Sequence, residues 1–175
     1  MTLPRLLVLF AVVLLAGCAG PKPEAYRDEK PVLDLREYFD GTVDAWGYFA
    51  DRNGKVVKRF SVEIRCSWSA DVGTLDESFV YSDGTTSRRV WTIRRIDAHR
   101  YTGTAEDVVG EAQGEAFGNA LRWRYVLKLP VDDKTYEVDF DDWMYMMDER
   151  VMLNKSVMSK FGVTLGEVVL AFRKR

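Results

Sequence analysis

Phe60-Ser61-Val62-Glu63-Ile64-Arg65-Cys66-Ser67-Trp68 is the stretch that decides the fold class. Every second residue from Phe60 is apolar, and each one between is polar. Successive side chains of an extended chain point to opposite faces, so this segment reads as a strand with one dry and one wet face. Leu121–Leu129 repeats the pattern, with Leu121, Trp123, Tyr125, Leu127 and Leu129 on the dry side. Weaker alternation marks Val43–Ala50, Leu75–Ser82, Arg89–Ile96, Tyr101–Val109, Tyr136–Met146, Val151–Met158 and Thr164–Arg173. Between these runs lie Asn53-Gly54, Asp83-Gly84 and Asp132-Asp133, the first two being dipeptides that tolerate the positive φ of tight hairpins.

Short strands at steady spacing with such turns predict an all-β fold: an antiparallel meander of eight to ten strands closed into a barrel. One short helix is expected ahead of it, over Leu33–Phe39. In Ala112–Phe117 small residues alternate with Gln113, Glu115 and Phe117. This segment reads equally as a loop or as a strand that another segment approaches closely. Phe60, Val62, Ile64, Cys66, Trp68, Leu75, Phe79, Tyr81, Trp91, Ile93, Trp123, Tyr125, Leu127 and Leu129 are expected inside. The aromatic side chains suit either an apolar pocket or a filled core.

The chain has 175 residues, 25 Lys+Arg against 27 Asp+Glu, and two cysteines. That composition excludes a disordered tail, a collagen, a disulfide scaffold and a polytopic membrane protein. Near-neutral charge argues against a nucleic-acid-binding module.

The N-terminus carries an address. Arg5 is followed by an apolar run from Leu6 to Ala16, 11 residues long. Spanning a bilayer takes about 17–25 residues, so the run is read as the core of a secretory signal. It ends in Leu15-Ala16-Gly17-Cys18, which resembles the bacterial lipobox. The resemblance implies cleavage after residue 17 and acyl chains, palmitate-type, on Cys18. It implies a lipoprotein of the cell envelope; Ala19 rather than Asp points to the outer membrane, facing the periplasm. Residues 18–31 are then the lipidated cysteine and a flexible tether, with Pro21, Pro23 and Pro31. Extended at about 3.1 Å per residue, residues 19–31 would reach roughly 40 Å. Residues 32–175 form the single barrel domain.

Phe39-Asp40-Gly41 followed by Trp46-Gly47 resembles the opening of the lipocalin and calycin pattern. Longer phrases resemble one family throughout: GYFADRNGKVVKRF, YSDGTTSRRVWTI, DVVGEAQGEAFGNALRWRY, DFDDWMYMMDE and NKSVMSKFGVTLGEV. They are similar to a proteobacterial lipoprotein family, domain of unknown function 3833. The resemblance implies a small envelope lipoprotein with a lipocalin-like barrel, and brings no catalytic residues. Its members' association with genes of fatty-acyl modification suggests a lipid-type ligand.

Glu77 shares a face with Leu75, Phe79 and Tyr81, and Arg89 shares one with Trp91 and Ile93 across the Asp83-Gly84 turn. An inward carboxylate is costly unless paired, so a Glu77–Arg89 pair inside the barrel is possible. A structural ion pair is the simpler reading; a polar anchor for a ligand is the functional one. Asp139, Asp141, Asp142, Asp148 and Glu149 cluster without a calcium-loop pattern, and Asp142 must face opposite to Asp141. His99 is the only histidine, in an expected turn, so no metal site or cofactor is assigned. Cys66 is read as a buried, inert thiol. Asn119, Arg122, Asn154 and Lys160 are polar, with Asn154 and Lys160 expected near a barrel mouth at Phe161-Gly162; Trp143, Tyr145 and Met147, with Met144 and Met146 opposite, form a possible pliable pocket.

The leading expectation is therefore a membrane-anchored barrel that binds an apolar or amphipathic small molecule. Glu77, Arg89, Trp91, Trp123, Tyr125 and Asn154 are its candidate ligand contacts, and no catalytic residue is assigned. A non-enzymatic interaction protein with a filled core is the alternative, and a lyase or isomerase in the same pocket is a weaker one.

Overall fold

The computed structural model describes residues 20–131 and 133–175, so the signal segment and Cys18 lie outside the described residues. A 3₁₀ turn (Pro23–Tyr26) and a one-turn helix α1 (Leu35–Tyr38) precede ten strands. These are β1 (Gly41–Asp51), β2 (Val56–Ser69), β3 (Val72–Tyr81), β4 (Thr86–Arg95) and β5 (Arg100–Thr104), then β6 (Ala112–Phe117), β7 (Ala120–Val131), β8 (Lys134–Met146), β9 (Val151–Lys160) and β10 (Val163–Lys174). Each strand pairs antiparallel with the next, and β10 returns to β1, closing the barrel. The ten strands match the expected meander, two more than a lipocalin barrel has.

Alternation drives the closure. In β2, Phe60, Val62, Ile64 and Cys66 are buried inside, while Arg59 and Arg65 lie outside. The outer wall is laced with ion pairs such as Arg88–Asp76 at 2.7 Å and Lys155–Glu167 at 2.8 Å. A charged outside around an apolar inside is the reverse of a membrane-spanning barrel.

Hairpin chemistry differs in detail from the expectation. At Asn53-Gly54 and Asp83-Gly84 only the glycines adopt positive φ, +80° and +83°. Asp51 N–H bonds Lys55 C=O and Tyr81 N–H bonds Thr85 C=O, so each loop is a three-residue turn with glycine in the left-handed position. The β9–β10 loop is the two-residue kind, with both Phe161 (+52°) and Gly162 (+77°) left-handed. Asn-Gly is the favoured pair there; a phenylalanine in that conformation costs about 1–2 kcal/mol.

The expectations for the N-terminal segment need correction. The helix spans Leu35–Tyr38 rather than Leu33–Phe39, because Asp34 caps it, accepting the Arg36 N–H at 2.8 Å, and Phe39 leaves helical geometry. The described part of the expected flexible tether is folded against the wall. Pro23 is buried, and the Tyr26 ring packs on Trp143 and Tyr145 with centroids at 5.8 and 5.3 Å. The Arg27 guanidinium lies over Phe117 at 4.8 Å. Phe117, Trp143 and Tyr145 face outward, and this segment keeps them from water.

The segment leads to one end of the barrel, which α1 plugs. Leu33, Leu35, Tyr38 and Phe39 are buried there, and Trp68 Nε1–H donates to the Phe39 carbonyl at 2.8 Å. The β1–β2, β3–β4, β7–β8 and β9–β10 hairpins surround the other end, the mouth. β5 is shorter than the expected Tyr101–Val109. Residues 105–111 instead run as a loop zipped to β7, with Lys128 N–H to the Asp107 carbonyl at 2.7 Å and Val109 N–H to the Val126 carbonyl at 2.9 Å.

Candidate functional site

The lumen is not filled. A cavity of about 760 Å³ runs from Leu35 and Phe39 at the plug to Phe49, Val57, Tyr81 and Leu165 at the mouth. The lumen stays open because several inward positions carry little or no side chain. Ala45, Ala112 and Ala116 are buried at the wall. At Gly103 and Gly114 an added Cβ would lie 2.6 and 2.4 Å from Trp123 ring atoms, so the indole is seated flat against bare backbone. The small-residue segment is thus β6, whose inner face admits Trp123.

Aromatic rings line the cavity in two tiers. Near the mouth, Phe60 packs beside Phe49 at 5.1 Å and Phe79 at 5.9 Å, and Tyr81 stacks on Phe79. Deeper, Trp91 meets Trp123 edge-to-face at 5.8 Å and Tyr125 at 5.4 Å, and Tyr125 stacks on Phe140 at 5.0 Å.

A polar band interrupts this wall. Glu77 and Arg89 are register partners on β3 and β4, both inward, with Arg89 Nη1 3.9 Å from Glu77 Oε2. Arg89 turns its two-pronged grip on Asp107 instead: Nη2 donates to Oδ2 at 2.7 Å and Nε at 2.9 Å. This pair ties the 105–111 loop to β4. Asp142 is buried and accepts from the Ser156 hydroxyl. Among the described residues, Glu77 Oε2 and Asn154 Nδ2 are buried with no hydrogen-bond partner.

The electrostatics follow from three carboxyls facing one guanidinium. Burial pushes Glu77 up to about 7; Arg89 pulls the other way, and Asp107 and Asp142 add to the rise. Burial also pushes Asp142 up to about 7, against its hydrogen bonds. Tyr125 is driven well above its usual range by burial and then by Asp142. Burial alone would lower Arg89, but Glu77 and Asp107 outweigh it and hold it firmly protonated. Both carboxyls therefore keep their protons to a higher pH than ordinary carboxylates, while the band's one cation is already engaged.

The sequence candidates distribute as follows. Glu77, Arg89, Trp91, Trp123, Tyr125 and Asn154 all line the one cavity. Asn154 lies deeper than expected: its partners are Met144 and Leu170, six residues from Lys160 at the mouth, or roughly 20 Å along the strand. Asp107 and Ser156 went unsuspected, Asp107 because it enters from a loop where a strand was expected. Of the acidic cluster only Asp142 turns inward, while Asp141 pairs with Arg122 outside at 2.6 Å. Met144 lines the cavity, whereas Trp143 and Tyr145 lie under Tyr26 on the outer wall. His99 stacks on Phe117 and its Nδ1 meets the Ala116 carbonyl at 2.9 Å. Cys66 is buried, its thiol pushed up to about 12 by burial and then by Glu77.

The family model described as protein of unknown function (DUF3833) matches residues 12–174. The chain belongs to that family. No curated protein matches the DUF3833 chain. Among solved structures it is similar to a barrel titled as a de novo design of a fluorescence-activating β-barrel, at 12% identity and a TM-score of 0.45. That similarity covers 82% of this chain and 99% of the designed one.

Proposed function

We propose that this DUF3833 barrel binds one apolar or amphipathic small molecule of lipid type in its lumen, held to an envelope membrane through acyl chains on Cys18. The observation that carries the binding reading is the aromatic-lined cavity with a buried polar band partway down its wall. Its volume lies within the range of small-molecule sites, about 300–1,000 Å³. Trp91, Trp123 and Phe60 would bury the apolar part. Charge counting narrows the polar end. Arg89 is held by Asp107, so a free carboxylate gains little, whereas the unpartnered Glu77 Oε2 accepts a hydrogen bond. A hydroxyl, amide or amine donor suits this band.

The test is native mass spectrometry with organic extraction on residues 19–175, made without the acyl anchor. A stoichiometric co-purifying lipid is expected. Val62→Trp, placed opposite Ala45 in the lumen, should reduce its occupancy at least tenfold. A clean apo mass, unchanged by a panel of fatty acids and phospholipids, would overturn the binding reading. The membrane address rests on the apolar run ending in Leu15-Ala16-Gly17-Cys18. Cys18→Ser should move the chain from the membrane fraction to the soluble one, since durable anchoring takes more than one acyl chain.

A second reading has its own observation: two carboxyls near 7 beside one cavity are matched to general acid–base work at neutral pH. On that reading the extracted ligand exchanges a carbon-bound hydrogen in D₂O with the wild-type chain and not with Glu77→Gln. Equal exchange in both excludes Glu77 as the base.

A further inference from the structure

The mouth carries an apolar rim that the binding reading does not require. At the β9–β10 tip, Phe161 is 91% exposed, with Val163 and Leu165 also exposed. β10 pairs with β1, so this tip neighbours the β1–β2 hairpin, where Val56 and Val57 are exposed as well. Val57 and Leu165 also line the cavity, so the exposed patch runs without a break into the lumen wall. Phe161 is anomalous twice over: it gives its ring to solvent, and it holds a left-handed backbone at a turn that asparagine would fit better. Backbone strain at an exposed aromatic points to a selected contact rather than to packing.

The two hairpin tips carry an excess of basic side chains. Arg52, Lys55, Lys58, Arg59 and Lys160 lie on these two hairpins. Of the carboxylates at the same depth, Asp51 is occupied with the Asn53 and Lys55 N–H groups of its own turn, and Glu167 pairs with Lys155 at 2.8 Å. Lys58 pairs with Asp83 at 2.8 Å, and Lys160 sits over the Phe161 ring at 5.0 Å; among the described residues Arg52, Lys55 and Arg59 have no salt bridge. The exposed acids Glu106 and Asp133 lie elsewhere around the mouth, on the 105–111 loop and the β7–β8 turn, while Glu137 and Asp139 lie on β8 beside β9.

We propose that this rim docks on a bilayer surface bearing anionic headgroups, with Phe161 and its valine neighbours seated at the acyl boundary and the basic side chains among the headgroups. Apolar area plus cationic flanks is the combination that binds such interfaces. Docking there opens the lumen toward the acyl layer. The N-terminal segment joins the barrel by the plugged end, so this contact is separate from any attachment through Cys18.

The described helices and strands lie within residues 23–174, so a chain starting at Ala19 keeps each of them. That chain, without acyl groups, is to be sedimented with vesicles of phosphatidylcholine alone and with about one-third phosphatidylglycerol. Partition onto the anionic vesicles is expected, weakened by high salt. Phe161→Asn should lower it at least fivefold while thermal stability holds or rises, because the turn becomes Asn-Gly. Arg52→Glu with Lys55→Glu should lower it at least tenfold. No sedimentation with anionic vesicles, equal partition onto pure phosphatidylcholine, or unchanged partition of Phe161→Asn would overturn the proposal. So would a concentration-dependent dimer that Phe161→Asn disperses, which would give the patch to a second copy.

Discussion

Raising the pH from 5.5 to 8 is expected to destabilise the barrel by on the order of 3 kcal/mol, and Glu77→Gln with Asp142→Asn to abolish most of that loss. Both carboxyls are pushed up to about 7 in the folded chain, chiefly by burial. In the unfolded chain they titrate near 4. Between these values the folded state binds more protons than the unfolded one, so unfolding free energy falls as pH rises. The stabilisation is fully present below about pH 4 and gone above the folded value near 7. Other carboxylates act oppositely. Asp97 is held down to about 2 by the His99 N–H and Arg100, and Arg88 lowers Asp76; their contributions are lost as acidity increases. Stability should therefore peak near pH 5. Urea unfolding followed by tryptophan fluorescence at the two pH values is the check. Equal stability at both, or the same fall in the double variant, would show that the band does not hold its protons.

The same band bears on how a ligand is held. At pH 8 the lumen gains negative charge with one guanidinium to offset three carboxyls, which favours a cationic or donor group and repels a carboxylate. At pH 5.5 the band is near neutral. Ligand retention and fold stability thus share two protons, and the amide variants separate charge from shape because they keep the size of both side chains.

Much of the architecture was legible because a period of two is a strong signal. Phe60–Trp68 fixes which face of β2 is inward, and hairpin pairing passes that parity to β3, so Glu77 had to share the lumen with Leu75 and Phe79. Parity likewise turns Asp142 inward once Asp141 faces out. What stayed hidden depends on irregular backbone or on distant partners. Asp107 arrives from a loop whose path is set by hydrogen bonds to β7, which no local pattern encodes. The packing of Tyr26 on Trp143 and Tyr145 spans more than a hundred residues of sequence, although outward aromatics on a charged wall were a hint that something covers them. An open lumen was beyond composition, because it depends on which glycines face which indole.

That dependence can be tested at Gly114. Gly114→Val is expected to destabilise the chain by about 3 kcal/mol, the upper part of the usual range for overpacking. The new Cβ would lie 2.4 Å from Trp123 Cε3, well inside contact distance. A free indole would swing aside cheaply, but this one is buried, lies across Gly103 as well, and meets Trp91 edge-to-face at 5.8 Å. Its remaining direction is into the cavity, away from the wall and from Trp91. Trp123→Phe alone should cost stability by leaving a void where the larger ring lay. Combined, the two changes relieve each other, since the smaller ring vacates the space the valine needs. The double variant should therefore be more stable than the sum of the single losses by about 1–3 kcal/mol, the coupling of groups in direct contact. Strict additivity would mean that Trp123 is not seated on Gly114. Lumen occupancy should fall in Gly114→Val and recover in the double variant, because the indole driven off the wall takes the space that a ligand would fill.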